Sequence, residues 1–222
     1  MSTRTIALLG LALIVFSLAF FLIPLIDIST AEWALGVGQV IGPEWLENLR
    51  DAGWFLVLGG FVASLAMIIL AHRSGTPGVS PHRKALFILA VLAVGPGLLA
   101  NVVLKDQWGR ARPRDVVELG GHMVFTPAWV ISDQCARNCS FVSGEGAFTF
   151  ALLAPALLVR RRRRSWAILA TVSLGLAVSM TRMAQGAHFL SDSVIGALIV
   201  ALTAVILHRL IVGRNVSDAD WN

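Results

Sequence analysis

Long runs of apolar residues constrain this chain more than any other feature of its sequence. A helix needs about 20 apolar residues to cross the ~30 Å hydrocarbon core of a bilayer, and the chain contains several runs near that length. Within such a helix the backbone N–H and C=O groups bond to one another and need no water. Only 14% of the 222 residues are charged, against roughly 25% in an ordinary soluble domain. The sequence therefore predicts an all-α protein with several membrane spans.

The apolar runs predict six transmembrane helices, packed as a bundle in one domain that covers residues 1–222. The spans are 5–26, 52–71, 85–104, 143–159, 166–181 and 188–212. Gly95, Pro96 and Gly97 predict a kink inside the third span. The first run could instead be a signal peptide with Arg4 at its charged start, but its length favours a retained anchor.

The charges of the loops predict how the bundle is oriented. Segment 73–84 carries three basic residues and no acid, segment 160–164 is five consecutive arginines, and segment 27–51 has five acids and only Arg50. Short basic loops stay in the cytoplasm. The predicted topology is N-in and C-in, with 27–51, 105–146 and 182–192 outside. Between two spans the arginine run is an anchor to anionic lipid, and no nucleic-acid partner is expected.

Two cysteines, Cys135 and Cys139, lie in the second outside loop. If that loop faces an oxidising compartment, they could form a disulfide that closes a small ring. A metal site is a weaker alternative, because no further Cys or His completes a ligand set beside them. Two free thiols are a third alternative.

Polar residues gather at the predicted outer ends of spans three to six, where they are costly and so indicate function. In the first cluster Lys105 and Arg112 are two helical turns apart, which predicts that both point the same way, and Pro113 would end the helix. An ammonium and a forked guanidinium on one face suit a tetrahedral oxyanion. The alternative is that both side chains snorkel at the membrane surface.

The second cluster, 140–146, places small residues just before an apolar helix. Ser143 and the N–H of Gly144 could bind an anion at the start of that helix. Ser143 could also be an ordinary N-cap, with Glu145 in the first turn.

The third cluster contains Arg182, His188 and Asp192. His188 and Asp192 are spaced as neighbours on one helix face, so the carboxylate could hold one imidazole nitrogen and leave the other free to attack. The alternative is a surface ion pair at a helix start. Taken together, the three clusters supply the cations, the anion cradle and the nucleophile that phosphoryl transfer needs.

At these residues the chain resembles the type-2 phosphatidic acid phosphatase superfamily, which also includes the vanadium haloperoxidases. The family pattern is Lys-x6-Arg-Pro, then Pro-Ser-Gly-His, then Ser-Arg-x5-His-x3-Asp. The first motif is complete in this sequence, and in the third Thr181 replaces the serine.

The resemblance implies a role for each residue, without a metal or another cofactor. The phosphate would be held by Lys105, Arg112, Ser143, Gly144 and Arg182. His188 would form a phosphohistidine that water then hydrolyses, and Asp192 would orient His188.

The second motif departs from the family, because Glu145 stands where the family has the histidine that protonates the leaving group. Ordinary pKa values are about 6.5 for histidine and about 4.3 for glutamate, so a glutamate suits this role only where burial raises its pKa. A substrate with a good leaving group, such as an anomeric phosphate or a diphosphate, would fit this change. The segment 139–145 resembles a bacterial subgroup that includes lipid A 1-phosphatase-like enzymes.

The predicted protein is a metal-independent lipid phosphatase of the bacterial inner membrane, with its active site facing the periplasm. Its partners would be the lipid bilayer and a lipid phosphate: lipid A 1-phosphate, undecaprenyl diphosphate, phosphatidylglycerol phosphate or phosphatidic acid. Two alternatives are a lipid phosphotransferase with the same site and a non-catalytic lipid-binding or transport protein.

Overall fold

A computed structural model describes residues 2–73 and 79–213, and that part of the chain is helical with no β-strand. Two of the eight α-helices continue as π-helical turns. The helices are α1 Thr3–Leu22, α2 Leu25–Ile41, α3 Pro43–Arg73, α4 Pro81–Leu92 with its extension Ala93–Lys105, α5 Gly144–Phe150, α6 Leu153–Leu158, α7 Arg161–Ala184 and α8 Leu190–Leu207 with its extension His208–Val212.

Five of these helical segments are long and apolar enough to cross a membrane, which confirms a polytopic helical protein. They are Thr3–Leu22, Pro43–Leu70, Pro81–Lys105, Arg161–Ala184 and Leu190–Val212. The remaining predicted span, 143–159, corresponds to a shorter apolar segment, Gly144–Leu158, which is divided into α5 and α6. The count of six spans and their orientation therefore stay predictions.

Large apolar side chains cover the outside of the bundle. Leu8 and Leu22 on α1 are 66% and 69% exposed, and Phe55 on α3 is 74% exposed. Lipid tails solvate such surfaces, whereas contiguous apolar patches are rare on soluble monomers. The first apolar run packs along α8, and Arg209 donates a hydrogen bond from Nη1 to Oγ1 of Thr3 at 2.8 Å.

The segment 27–51, which we predicted as a loop, is mostly helical. It contains most of α2 and the start of α3. Ala31, Ala34 and Gly38 are buried at helical spacing, and α2 packs against α7. A Cβ on Gly38 would lie 2.1 Å from the carbonyl oxygen of Ala184, so the helices approach at contact distance. A count of loop charges misses this helix because small residues, rather than large apolar ones, form its buried face.

The structure also gives the form of two other predicted features, the kink in the third span and the arginine run. The third span changes from α-helix to π-helix at Ala93, where Pro96 lacks an N–H and Asn101 donates from Nδ2 to its carbonyl at 2.6 Å. This irregularity lies at the predicted kink. The arginine run is mainly the first turn of α7 and not a loop, with Arg160 as its N-cap.

One end of the bundle brings together the end of the α4 extension, the start of α5, the end of α7 and the start of α8. The intervening segment 106–143 folds over that end. An aromatic cluster holds it: the ring centroids of Trp108 and Trp129 are 5.7 Å apart, and those of Trp129 and Phe141 are 5.0 Å apart. Residues far apart in the sequence therefore share one compact surface.

Candidate active site

The three polar clusters of the sequence meet at this end of the bundle. The N–H of Ser143 donates to the carbonyl of Asp192 at 3.1 Å, which joins the second cluster to the third. Nε of Arg182 lies 3.4 Å from Oε2 of Glu145. Arg112 and Arg182 are close enough to Lys105 for their positive charges to repel its ammonium. We call these three residues the cation cluster.

Lys105 lies directly against Gly144. A Cβ on Gly144 would lie 3.1 Å from Nζ of Lys105 and 2.6 Å from Oδ1 of Asn101, so a side chain does not fit there. Asn101 lies one helical turn before Lys105, outside the polar clusters that the sequence indicated. Any anion that reaches the N–H of Gly144 therefore also meets the ammonium of Lys105.

Arg112 does not share a helix with Lys105, contrary to the prediction. The helix ends near Gln107, and Arg112 is extended, with φ −83° and ψ 155°. Its Nη2 donates to the carbonyl of Asn138 at 2.7 Å. Burial lowers the pKa of Arg112, because desolvation penalises the guanidinium cation. A bound anion would offset that penalty.

Ser143 is the N-cap of α5, as the simpler interpretation of the second cluster predicts. Its Oγ accepts the N–H of Gly146 at 3.3 Å, and its side chain is fully buried. A hydroxyl that accepts one bond retains a proton to donate. Capping and phosphate binding are therefore compatible at Ser143.

His188 lies in the turn between α7 and α8, not on a helix. Gly186, with φ +62°, makes the turn, a conformation that suits glycine. The ring is fully buried, and its Nδ1 is 2.7 Å from the carbonyl oxygen of Ser140. A carbonyl only accepts, so Nδ1 carries the proton in the neutral ring and Nε2 carries the lone pair. Nε2 is buried and has no partner within the described structure.

Asp192 acts on His188 at a distance and not through the expected direct bond. Its Oδ2 is 3.8 Å from Nδ1 of His188, because His188 lies outside the helix and the expected shared face does not exist. The carboxylate instead accepts two hydrogen bonds, one from the hydroxyl of Ser140 at 2.5 Å and one from the N–H of Phe189 at 2.8 Å. Ser140 thus contacts both residues, one through its carbonyl and the other through its hydroxyl.

Burial lowers the pKa of His188, while the charge of Asp192 acts in the opposite direction. Desolvation is the larger cause, and the charges of Lys105 and Arg182 also lower the value. The neutral ring, the form that can attack phosphorus, is therefore favoured at neutral pH.

Glu145 lies between two arginines. Oε1 is 3.3 Å from Nε of Arg50, and Oε2 faces Arg182. Arg182 is also bonded through Nη1 to Oε1 of Gln185. Arg50 belongs to α3, in a region that the sequence analysis treated as a loop, and it was therefore missed.

The structure adds a charged pair behind the site that the sequence analysis did not select. Arg110 and Asp27 are both fully buried and lie 2.9 Å apart, from Nη2 to Oδ2. Arg110 lies inside the first motif. Asp27 follows an apolar run, and an acid in that setting is itself a signal of function.

Cys135 and Cys139 form a disulfide in the structure. No group of three His, Cys, Asp or Glu side chains suited to a metal ion occurs among the described residues. The charges of Lys105 and Arg182 act on a buried imidazole whose Nε2 has no partner among the described residues, an arrangement suited to group transfer from an anion.

The comparisons agree with that class of site. The pattern of the PAP2 superfamily matches residues 84–215, and the chain belongs to this superfamily. It is 36% identical over 211 residues to the lipid A 4'-phosphatase of Francisella tularensis subsp. novicida (strain U112). The aligned residues are 91% of this chain and 94% of that protein.

Two further relatives match about half of the chain. The lipid A 4'-phosphatase of Rhizobium leguminosarum is 39% identical over 114 residues, 51% of this chain and 49% of that protein. The enzyme of the same name from Rhizobium etli is 38% identical over 114 residues, 51% of this chain and 44% of that protein. No solved structure gives a significant match. The chain is a phosphatase, and its relatives and apolar helices indicate a membrane-embedded lipid phosphatase.

Proposed function

We propose that this phosphatase removes the 4'-phosphate of lipid A through a phosphohistidine on His188. One observation carries the mechanism: Nδ1 of His188 is bonded to the Ser140 carbonyl, and Nε2 is buried with no partner among the described residues. A lone pair held in this way is ready for in-line attack. The named substrates of the relatives support the choice of lipid.

In the first step Nε2 attacks phosphorus, a P–N bond forms, and the P–O ester bond breaks. The sugar oxygen leaves with the bonding pair and takes up one proton from the site, which the attacking water replaces in the second step. The cation cluster, Ser143 and the N–H of Gly144 stabilise the charge on the phosphoryl oxygens. Water then attacks phosphorus, and the P–N bond breaks to release phosphate and restore neutral His188.

A 4'-phosphate changes how Glu145 is interpreted. Glu145 in place of the family histidine predicts a good leaving group such as an anomeric phosphate, whereas the leaving oxygen at the 4' position is an ordinary alkoxide that needs a proton. The assignment of Glu145 as the general acid stays a prediction. Its contacts with Arg50 and Arg182 favour a second role, which is to position a phosphate-binding guanidinium.

The site is proposed to face the periplasm of a bacterial inner membrane. The helix ends opposite the site carry Arg73, Arg83, Lys84 and the arginine run 160–164. Short basic segments stay in the cytoplasm. A disulfide beside the site fits an oxidising compartment.

The test uses purified protein and lipid A that carries phosphate at both positions, with mass spectrometry of the product. We expect loss of the 4'-phosphate alone, and no release by His188→Ala. The exposed His122, changed to Ala, is the matched control and should keep wild-type activity. Release of the 1-phosphate would contradict the substrate, and full activity of His188→Ala would contradict the mechanism.

A further inference from the structure

Arg110 is enclosed by protein on all sides, unlike the cation cluster. It is 0% exposed, although it lies between Lys105 and Arg112 in the sequence. Its guanidinium carbon is 4.3 Å from the centre of the Phe189 ring, and Nε donates to the carbonyl of Thr126 at 2.8 Å. Because its charge contacts only buried groups of the protein, Arg110 has a different role from its neighbours in the motif.

Arg110 joins two buried carboxylates from different helices. Nη1 lies 2.6 Å from Oδ1 of Asp192, and Nη2 lies 2.9 Å from Oδ2 of Asp27. All three side chains have no exposed surface. A buried charge is stable only when it is paired and hydrogen-bonded, so each member depends on the others.

Ser191 is hydrogen-bonded to both Asp27 and Arg110, and we call Asp27, Arg110, Ser191 and Asp192 the buried charge unit. Its N–H and its hydroxyl donate to Asp27 at 2.9 Å and 2.5 Å, and its Oγ accepts from Nη1 of Arg110 at 2.8 Å. Asp27 thereby binds the first turn of α8, which carries Asp192, to the start of α2.

The unit ends at the nucleophile. Asp192 accepts the Ser140 hydroxyl, and the Ser140 carbonyl holds Nδ1 of His188. A continuous chain of contacts therefore runs from Asp27 through Arg110, Asp192 and Ser140 to the ring that attacks phosphorus.

We propose that Asp27 and Arg110 are positioning residues for phosphoryl transfer. They hold Asp192 in one orientation as a carboxylate, so that Ser140 keeps the imidazole in the tautomer and direction that in-line attack needs. Neither residue touches the substrate. The proposal rests on the proposed function of His188 and extends it to a helix outside the family motifs.

The test compares the effect of a substitution on kcat with its effect on KM and on inhibition by inorganic phosphate. Asp27→Asn keeps the shape of the side chain and removes its charge, and Glu32→Gln makes the same change at an exposed position of α2. We expect Asp27→Asn to lower kcat by about tenfold to a hundredfold, the range that misplacement of reacting groups produces. KM and inhibition by inorganic phosphate should stay at wild-type values, because the cation cluster is intact. Glu32→Gln should behave as wild type.

Two further variants keep the proposal testable if Asp27→Asn fails to fold. Ser191→Ala removes one hydroxyl from the unit and should lower kcat in the same direction. Arg110→Lys keeps the charge and should retain more turnover than Arg110→Met.

Wild-type kcat in every one of Asp27→Asn and Ser191→Ala that folds would overturn the proposal. Weakened phosphate inhibition in step with kcat would also overturn it, because the unit would then shape the phosphate pocket. His188→Ala separates the two claims. An active His188→Ala contradicts the proposed function, whereas an inactive one beside a normal Asp27→Asn contradicts only this inference.

Discussion

At the scale of single residues, the backbone and not a carboxylate fixes the tautomer of His188. The Ser140 carbonyl accepts from Nδ1, and Asp192 lies too far away for a direct bond. Burial of the ring lowers the pKa of His188. The ring should therefore be neutral, with its proton on Nδ1, across the neutral range of pH.

Histidine 15N NMR of the detergent-solubilised protein tests this state, with His188→Ala used to assign the signal. We expect the Nδ1–H tautomer and a titration midpoint below the ordinary value of about 6.5. Because the lowered pKa keeps the ring neutral, protonation and loss of the nucleophile occur only as the pH falls below that value. A midpoint above 6.5, or an Nε2–H tautomer, would be inconsistent with the site as described.

Glu145→Gln distinguishes acid catalysis from positioning of Arg182. Loss of the carboxylate should lower kcat/KM by about tenfold, a typical effect of losing a charge-assisted contact at an active site. If Glu145 positions Arg182, the loss should be equal for lipid A and for p-nitrophenyl phosphate, whose leaving group needs no proton. A loss confined to lipid A would assign the general acid to Glu145.

The sequence singled out residues that the structure brings together at one end of the bundle, but it did not indicate how they contact one another. Spacing on a helix predicted a direct bond from His188 to Asp192, and the turn at Gly186 removes that geometry. Arg50 and Asp27 reach the site from helices whose place in the bundle depends on tertiary packing. No local pattern encodes that packing.

At the scale of elements, the disulfide ring supports Arg112, one of the proposed phosphate ligands. The carbonyl that accepts from Arg112 belongs to Asn138, inside the ring closed by Cys135 and Cys139. Cys139 also precedes Ser140, which holds His188. The ring therefore fixes both the backbone that contacts Arg112 and the backbone next to Ser140.

Reduction of this disulfide should weaken phosphate binding. After treatment with tris(2-carboxyethyl)phosphine, or in Cys135→Ser/Cys139→Ser, we expect inhibition by inorganic phosphate to weaken by about tenfold, the order of one lost charge-assisted contact. Arg112→Ala is the control, since its phosphate inhibition has already lost that contact and should change little on reduction. Unaltered inhibition in the reduced wild-type protein would separate the ring from phosphate binding.

Helices that contain a long apolar run were predictable from the sequence. The helix whose buried face is made of small residues was missed. The long runs of α1, α4 and α8 follow from hydrophobicity alone. Helix α2 depends on Ala31, Ala34 and Gly38, which give close packing without a strong apolar signal. The π-helical turns near Pro96 were predicted only as an irregularity.

At the scale of the whole molecule, orientation decides which leaflet supplies the substrate. The native cysteines are paired, so single cysteines can report on each side. In intact cells Glu118→Cys should react with a membrane-impermeant maleimide, and Arg162→Cys should react only after lysis; both positions are exposed. The reverse pattern would place the site in the cytoplasm.

The central claim is that phosphate passes through His188. The most direct measurement is a rapid-quench reaction with lipid A labelled at the 4'-phosphate with 32P, followed by peptide mapping under alkaline conditions. We predict a transient label that is stable to alkali, labile to acid and confined to the peptide that contains His188. His188→Ala should show neither label nor turnover. Complete turnover of the wild-type protein with no label on that peptide, at quench times shorter than one catalytic cycle, would contradict the mechanism.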